Sequence, residues 1–234
     1  MSVLNGTELE GVNRPKTSRG EATFRKLLEA AEEVFGEKGY YETSVVEIIT
    51  RAGVAQGTFY LYFKTKKDIF RHLVIHLHHE IRKHVQLAVA PLSGRLAKEK
   101  RGLLAFHEFI LQHRNLYRLL RDLELVDEEL FKWYYGSFAK NYARRLAKAM
   151  EKGEIRRSDP EALAYCLMGL NIFTGMRWPL WENRPAPAGA VETIFTFLEK
   201  GLGSHGEGLA SQVEAPPNVQ ERKGTAKKSK RRDS

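Results

Sequence analysis

Apolar residues recur along this chain at spacings of three and four, the period of helices. Phe24, Leu27, Leu28, Ala31, Val34 and Phe35 form the first stripe, over about Glu21 to Lys38, and Gly39 ends it. A short second stripe, Val45, Ile48, Ile49 and Ala52, follows the hydroxyls of Thr43 and Ser44, either of which can cap it. It stops at Gly53, where a sharp turn needs glycine's backbone freedom. Ala55 to Phe63 makes a third helix with small residues at its exposed start. Thr65 can cap a fourth, Lys66 to about Val89, carrying Phe70, Leu73, Val74, Leu77, Ile81 and Val85. Pro91, Ser93 and Gly94 then break the pattern.

The second part of the chain is helical throughout. Leu103 to Arg121 is expected to be one helix, with Leu103, His107, Ile110, Leu111, Arg114, Tyr117 and Arg121 in register. Asp127 starts the next, with Glu128 and Glu129 set against its dipole, and it runs to Glu151 before Gly153. Phe131, Tyr134, Tyr135, Phe138 and Tyr142 stack along one side of it. Asp159-Pro160-Glu161 is an N-cap, a proline at N1 and an early acid, opening a helix that extends to about Trp178 and stops at Pro179. Gly189 to Lys200 forms the last, with Val191, Ile194, Phe195 and Leu198 apolar. Residues 1–19 lack periodicity and are expected to be a disordered leader. Residues 202–234 turn to Gly, Ser, Pro and charge, a composition that cannot bury enough to fold alone. The fold class is all-α: a three-helix unit over 20–81 with its helix-turn-helix at 44–63, then a helical domain over 82–201.

Two short helices about a glycine turn, backed by a third, are the geometry that delivers a recognition helix to the DNA major groove by its N-terminal end. That end is Ala55, Gln56, Gly57 and Thr58. Ala55 and Gly57 allow close backbone approach, and the Gln56 amide can make paired hydrogen bonds to adenine. Spacing alone also fits an ordinary helical hairpin. Lys66 and Lys67 in the first turn of the fourth helix oppose its macrodipole, which a nearby phosphate would offset.

Charge agrees with a polyanionic partner: the 234 residues carry a formal +9. Residues 221–234 hold seven Lys or Arg against two acids, +5 of that total. Arg14, Lys16 and Arg19 precede the first helix, as an arm along DNA or as a solvated leader. No apolar run is long enough to span a bilayer, the N-terminus has no signal peptide, and Cys166 is the sole cysteine; a reduced, cytoplasmic protein without membrane contact is expected. No catalytic constellation and no cofactor are expected. Gly201 to Gly206 spells GxGxxG but follows a helix, not a strand, and is rejected as a dinucleotide site. His72, His76 and His79 share one face of the fourth helix, read as solvated and not as a metal site. Arg114, Arg118 and Arg121 form a basic edge, either a solvated face paired with Asp122 and Glu124 or an anion clamp.

The run TSVxEI (Thr43 to Ile48), followed by AGV (Ala52 to Val54) and GTFYxYFxxK (Gly57 to Lys66), resembles the DNA-binding domain of the TetR family of bacterial one-component regulators. The resemblance is strong from about Glu21 to Ile81 and continues as a weaker helical pattern to about Gly201. It implies that Tyr60, Tyr62 and Lys66 hold DNA phosphates, that Thr43 and Ser44 do likewise, and that positions 55–58 meet base edges. Val46 stands where the family often has an arginine, and offers only apolar contact, for example to a thymine methyl.

The resemblance also implies a ligand cavity among the middle helices, here expected to be lined by Phe106, His107, Ile110, Tyr134, Tyr135, Phe138, Asn171, Thr174 and Trp178. That mix suits a hydrophobic or amphipathic effector; with the Arg114-Arg118-Arg121 edge, an acyl thioester of a nucleotide carrier is one candidate. The last two helices would dimerise, with Ala162, Cys166 and Gly169 as a smooth strip. The implied function is a repressor whose homodimer grips a palindromic DNA operator, with half-sites about 34–36 Å apart, and releases it when a small molecule binds. A ligand-independent architectural DNA-binding protein is the alternative, since the basic tail would suit it.

Overall fold

In a computed structural model of the protein, residues 12–203 are described. Residues 1–11 and the basic tail from 204 lie outside them, as does the second half of the GxGxxG stretch. The chain is all-α: α1 Ser18–Lys38, α2 Val45–Ala52, α3 Gln56–Tyr62, α4 Lys66–Val89, α5 Arg95–Gln112, α6 Arg114–Arg118, α7 Leu120–Val126, α8 Glu128–Glu151, α9 Pro160–Gly175 and α10 Ala188–Leu202. A π turn, Met176–Leu180, carries Pro179 beyond the end of α9. The β structure among the described residues is an isolated bridge between Val12 and Phe63. No helix among them is long and apolar enough to cross a membrane.

The helix starts follow capping chemistry. Ser44 rather than Thr43 caps α2, in a reciprocal box with Glu47. Thr65 does the same for α4 with Asp68. Asp127 caps α8 and Asp159 caps α9, with Pro160 at its first position. Gly53 takes φ 63°, the left-handed turn between α2 and α3 that a side chain would strain.

Two expectations are corrected. Residues 12–17 are not a free leader. Asn13 donates its backbone N–H to the Tyr62 carbonyl at 2.8 Å and its side-chain amide to the Leu61 carbonyl at 3.0 Å, and Thr17 caps α1, which begins at Ser18. These bonds satisfy carbonyls at the end of α3 that would otherwise lack partners. The stripe from Leu103 to Arg121 is also three segments, not one helix. α5 begins at Arg95 and closes at His113, whose N–H bonds to the Phe109 carbonyl at 2.9 Å and whose ring lies 4.5 Å from that of Phe109. The short α6 then turns onto α1, so that Leu116, Tyr117 and Leu119 join the same core as Phe24 and Phe35. Contact between them is close enough that a Cβ on Gly36 would lie 2.5 Å from the Asn115 Cβ.

No gap in packing falls at residues 81–82. One apolar core runs from Phe24 and Leu27 through Ile48, Phe59 and Phe70 to Phe109, Leu123 and Tyr134. α4 crosses it from end to end. A second core joins Leu103 of α5 to Leu146, Leu167, Ile194 and Leu198 of α8, α9 and α10.

Candidate nucleic-acid interface and adjoining cavity

The recognition helix is held from behind by rings. Phe59, Tyr62 and Phe63 are buried, and Phe63 stacks on Phe24 at 5.1 Å. α2 is tied to α1 by Arg51, 3.0 Å from both Glu33 and Glu37, and by a Lys38–Glu47 pair. The Lys38 contact, together with the hydrogen bonds from Ser44, lowers the Glu47 pKa to about 2, so its carboxylate stays charged and capping in neutral solution.

The residues expected at DNA fall into two groups. Ser44, Val46, Ala55, Gln56, Gly57 and Tyr60 are exposed, and Thr58 is half-buried. Open space surrounds Gly57, so another backbone can come close. The other three turn inward. Thr43 is 2% exposed and donates its hydroxyl to the Gly39 carbonyl at 2.7 Å. Tyr62 is buried edge-on to Phe24 at 5.4 Å, its hydroxyl 3.4 Å from the Gly20 carbonyl. Lys66 points its Nζ into the loop ahead of α2, donating to the carbonyls of Thr43 at 2.7 Å and Tyr40 at 2.8 Å, over the Tyr40 ring at 4.3 Å. Burial pushes the Lys66 ammonium below the usual lysine value. These three hold the reading surface in shape. The two first-turn lysines of α4 are thus partnered within the chain, because Lys67 sits 3.2 Å from Asp127. Tyr41, in the loop before Ser44, is exposed as well.

Behind this surface, α4, α5, α8 and α9 enclose a cavity of about 520 Å³. Phe106, Tyr134, Tyr135, Phe138 and Asn171, together with Tyr117 and Tyr142, line it. The other four residues expected at the cavity lie behind the wall. His107 is bonded to Thr174 at 3.0 Å, Ile110 is buried against Gly175, and Trp178 packs on the second core. Burial lowers the His107 pKa to about 4, so it is a neutral core imidazole.

One part of the wall is cationic, which sequence reasoning missed. Arg82, Arg95, Lys98, Arg145, Lys148 and Lys152 line the cavity against Glu99 and Glu154, six cations to two acids. Arg95 and Tyr142 both engage the buried Glu99 carboxylate. Arg145 has no ion-pair partner among the described residues; burial first, then Arg95, Arg82 and Arg144, push its pKa down. The signal lay in α8, where the aromatic stripe 134, 138, 142, spaced by four, continues into Arg145 and Lys148 at spacings of three. Asn171 lines the cavity with its side-chain oxygen unpartnered. Of the two readings of the Arg114-Arg118-Arg121 edge, the anion clamp does not form at this cavity, and the pairing with Asp122 does at Arg121. Arg114 donates to the Leu180 carbonyl at 2.7 Å, Arg118 to that of Gly36 at 3.3 Å, and Arg121 meets Asp122.

Of the three histidines on one face of α4, His76 and His79 are exposed and His72 is half-buried. His78, on another face, is 1% exposed, packed 4.4 Å from Phe138 and 4.6 Å from Trp133, with Nε2 2.5 Å from the Ser137 hydroxyl. His72 lies edge-on to Phe24 at 5.3 Å.

A glycine-turned helix pair on an all-α scaffold, with a cavity behind it, is the arrangement of a helix-turn-helix transcription regulator. The signature of the bacterial regulatory proteins of the tetR family matches residues 27–73. YdgC of Bacillus subtilis, an uncharacterized HTH-type transcriptional regulator, is 39% identical over 159 residues, which are 65% of this chain and 79% of that protein. The fatty acid metabolism regulator protein of the same bacterium is 29% identical over 187 residues, 76% of this chain and 95% of its own. Among solved structures, the transcriptional regulator FadR from Bacillus subtilis in complex with stearoyl-CoA shares the fold with a TM-score of 0.66 at 22% identity, covering 76% of this chain and 98% of that one. The chain belongs to the TetR family, and it is a DNA-binding transcription regulator.

Proposed function

We propose that the protein is a repressor whose homodimer binds a palindromic operator and releases it when an amphipathic anion fills the cavity. The ligand class is a long-chain acyl thioester of a nucleotide carrier. The observation that carries this is the division of one cavity wall into an aromatic part (Phe106, Tyr134, Phe138) and a cationic part (Arg82, Arg145, Lys148). An acyl chain fits the first, and phosphates fit the second, where Arg145 and Lys148 are exposed and Arg82 is half-buried. A relative that regulates fatty acid metabolism and a neighbour of the same fold that binds stearoyl-CoA support the choice. For the dimer, Tyr165 and Phe173 of α9, Trp181 after the π turn and Phe197 of α10 are large apolar side chains left exposed. Titration calorimetry with palmitoyl-CoA, palmitate and coenzyme A tests the ligand class. Palmitoyl-CoA is expected to bind most tightly, because it alone fills both parts. Equal affinity for palmitate would remove the cationic wall from the account.

A further inference from the structure

Asp127 lies at the corner between α7 and α8 and is 8% exposed. Its Oδ1 accepts the Leu130 N–H at 3.0 Å and so caps α8. Its Oδ2 faces the start of α4, 3.2 Å from Lys67 Nζ and 3.5 Å from Arg71 Nε. The Arg71 contact is one of charge, since that Nε lacks hydrogen-bond geometry to any described partner. In the first turn of α7, Asp122 Oδ2 accepts the Tyr40 N–H at 2.7 Å. Lys66, next to Lys67, holds the other face of that loop through its carbonyls. The short α7 is therefore fastened at its first turn to the loop that opens α2 and at its end, through Asp127, to the first turns of α4.

The far side of α8 is the cavity wall, through Tyr134, Tyr135 and Phe138. We propose that Asp127 is the positioning residue that couples the cavity wall to the DNA-reading surface. Two features of its bonding favour this. Oδ1 is bonded to the backbone of α8, so a shift of that helix moves the carboxylate directly rather than being absorbed by a flexible side chain. Oδ2 belongs to a poorly solvated carboxylate, and separating such a charge from its cations leaves it uncompensated, which is strongly unfavourable. The starts of α4 and α8 accordingly move together. Other polar contact between these helices, such as His78 with Ser137, joins side-chain ends only. The role assigned to the cavity in effector response is the reading on which this rests.

Asp127→Asn keeps the size and a capping oxygen but removes the charge. Hydrogen exchange of the full-length dimer, free and bound to the fragment of its own promoter that it retards, reads the coupling without any effector. In the wild type, DNA is expected to slow exchange across residues 128–138. In D127N that slowing should be lost while the helical circular dichroism is retained. Equal slowing in both proteins, or none in the wild type, overturns the proposal. A second arm uses palmitoyl-CoA. The ratio of operator Kd with and without it, within the roughly 5–150-fold range of allosteric couplings, should fall several-fold in D127N at unchanged palmitoyl-CoA affinity. An unchanged ratio contradicts the proposal. If the wild type does not bind palmitoyl-CoA at all, the ligand reading fails, and the exchange experiment still decides the role of Asp127.

Discussion

Lys66 Nζ lies 2.7 Å from the carbonyl oxygen of Thr43, a residue 23 positions earlier that opens the helix-turn-helix. The lysine supplies a donor to the Thr43 carbonyl and a second one to the Tyr40 carbonyl, which also accepts the Thr43 N–H at 3.4 Å. Lys66→Met is therefore expected to lower stability by about 1–3 kcal/mol, the cost of leaving a buried acceptor unpaired. It should weaken all DNA binding while leaving the salt slope unchanged. A slope smaller by about 0.9, one released counterion, would show instead that Lys66 meets a phosphate.

Gln56 is exposed at the first position of α3 and makes no side-chain hydrogen bond within the described chain. Gln56→Ala should leave the melting temperature unchanged and cost about 1–3 kcal/mol mainly at one base pair per half-site. Binding measured across an operator library checks it. A uniform loss over all sequences would place the reading edge elsewhere.

At Gly36, α6 crosses α1 without room for a methyl group, since a Cβ there would stand 2.5 Å from that of Asn115. Gly36→Ala should destabilise by about 1–3 kcal/mol, as overpacking does, despite the better helix propensity of alanine. Thermal denaturation decides this, and a stabilised variant would mean that α6 yields easily.

Phe173 is 68% exposed on α9, and a Cβ on Gly169, one turn earlier, meets nothing within 4 Å in its own chain. Phe173→Glu is expected to shift sedimentation toward monomer without loss of helix content. An unchanged dimer would move the interface off α9.

Two buried histidines give the protein an acid-sensitive core. Burial lowers the pKa of His78 to about 3 and that of His107 to about 4. In the unfolded chain each takes up a proton near pH 6.5, and in the folded chain only well below that. The unfolded state thus binds more protons across pH 4 to 6.5, so stability rises with pH through that window and levels off above it. Each histidine contributes up to about 1.4 kcal/mol per pH unit there. His78→Phe should reduce the slope of melting temperature against pH.

Local signals were well represented in the sequence, and non-local ones were not. Ser44, Thr65, Asp127 and Asp159 announce helix starts because a cap needs only its own next three residues. The break at His113 was invisible, because Leu103 to Arg121 keeps helical spacing and only α1, some eighty residues away, bends it. Thr43, Tyr62 and Lys66 face inward for the same reason: their partners are carbonyls of Gly39, Gly20 and Tyr40, and periodicity says nothing about those. In the cavity, the α8 stripe was legible as one face of one helix. Arg82, Arg95 and Arg145 each look like ordinary solvated charges until three helices bring them to a common wall.

Filling the cavity is expected to loosen the grip on DNA, and fluorescence anisotropy of a labelled promoter fragment tests this most directly. The protein is titrated onto the fragment alone, with saturating palmitoyl-CoA, and with palmitate. Palmitoyl-CoA is expected to weaken operator binding by roughly 5–150-fold, the range of allosteric couplings, and palmitate by much less. An operator affinity unchanged by bound palmitoyl-CoA would contradict the account.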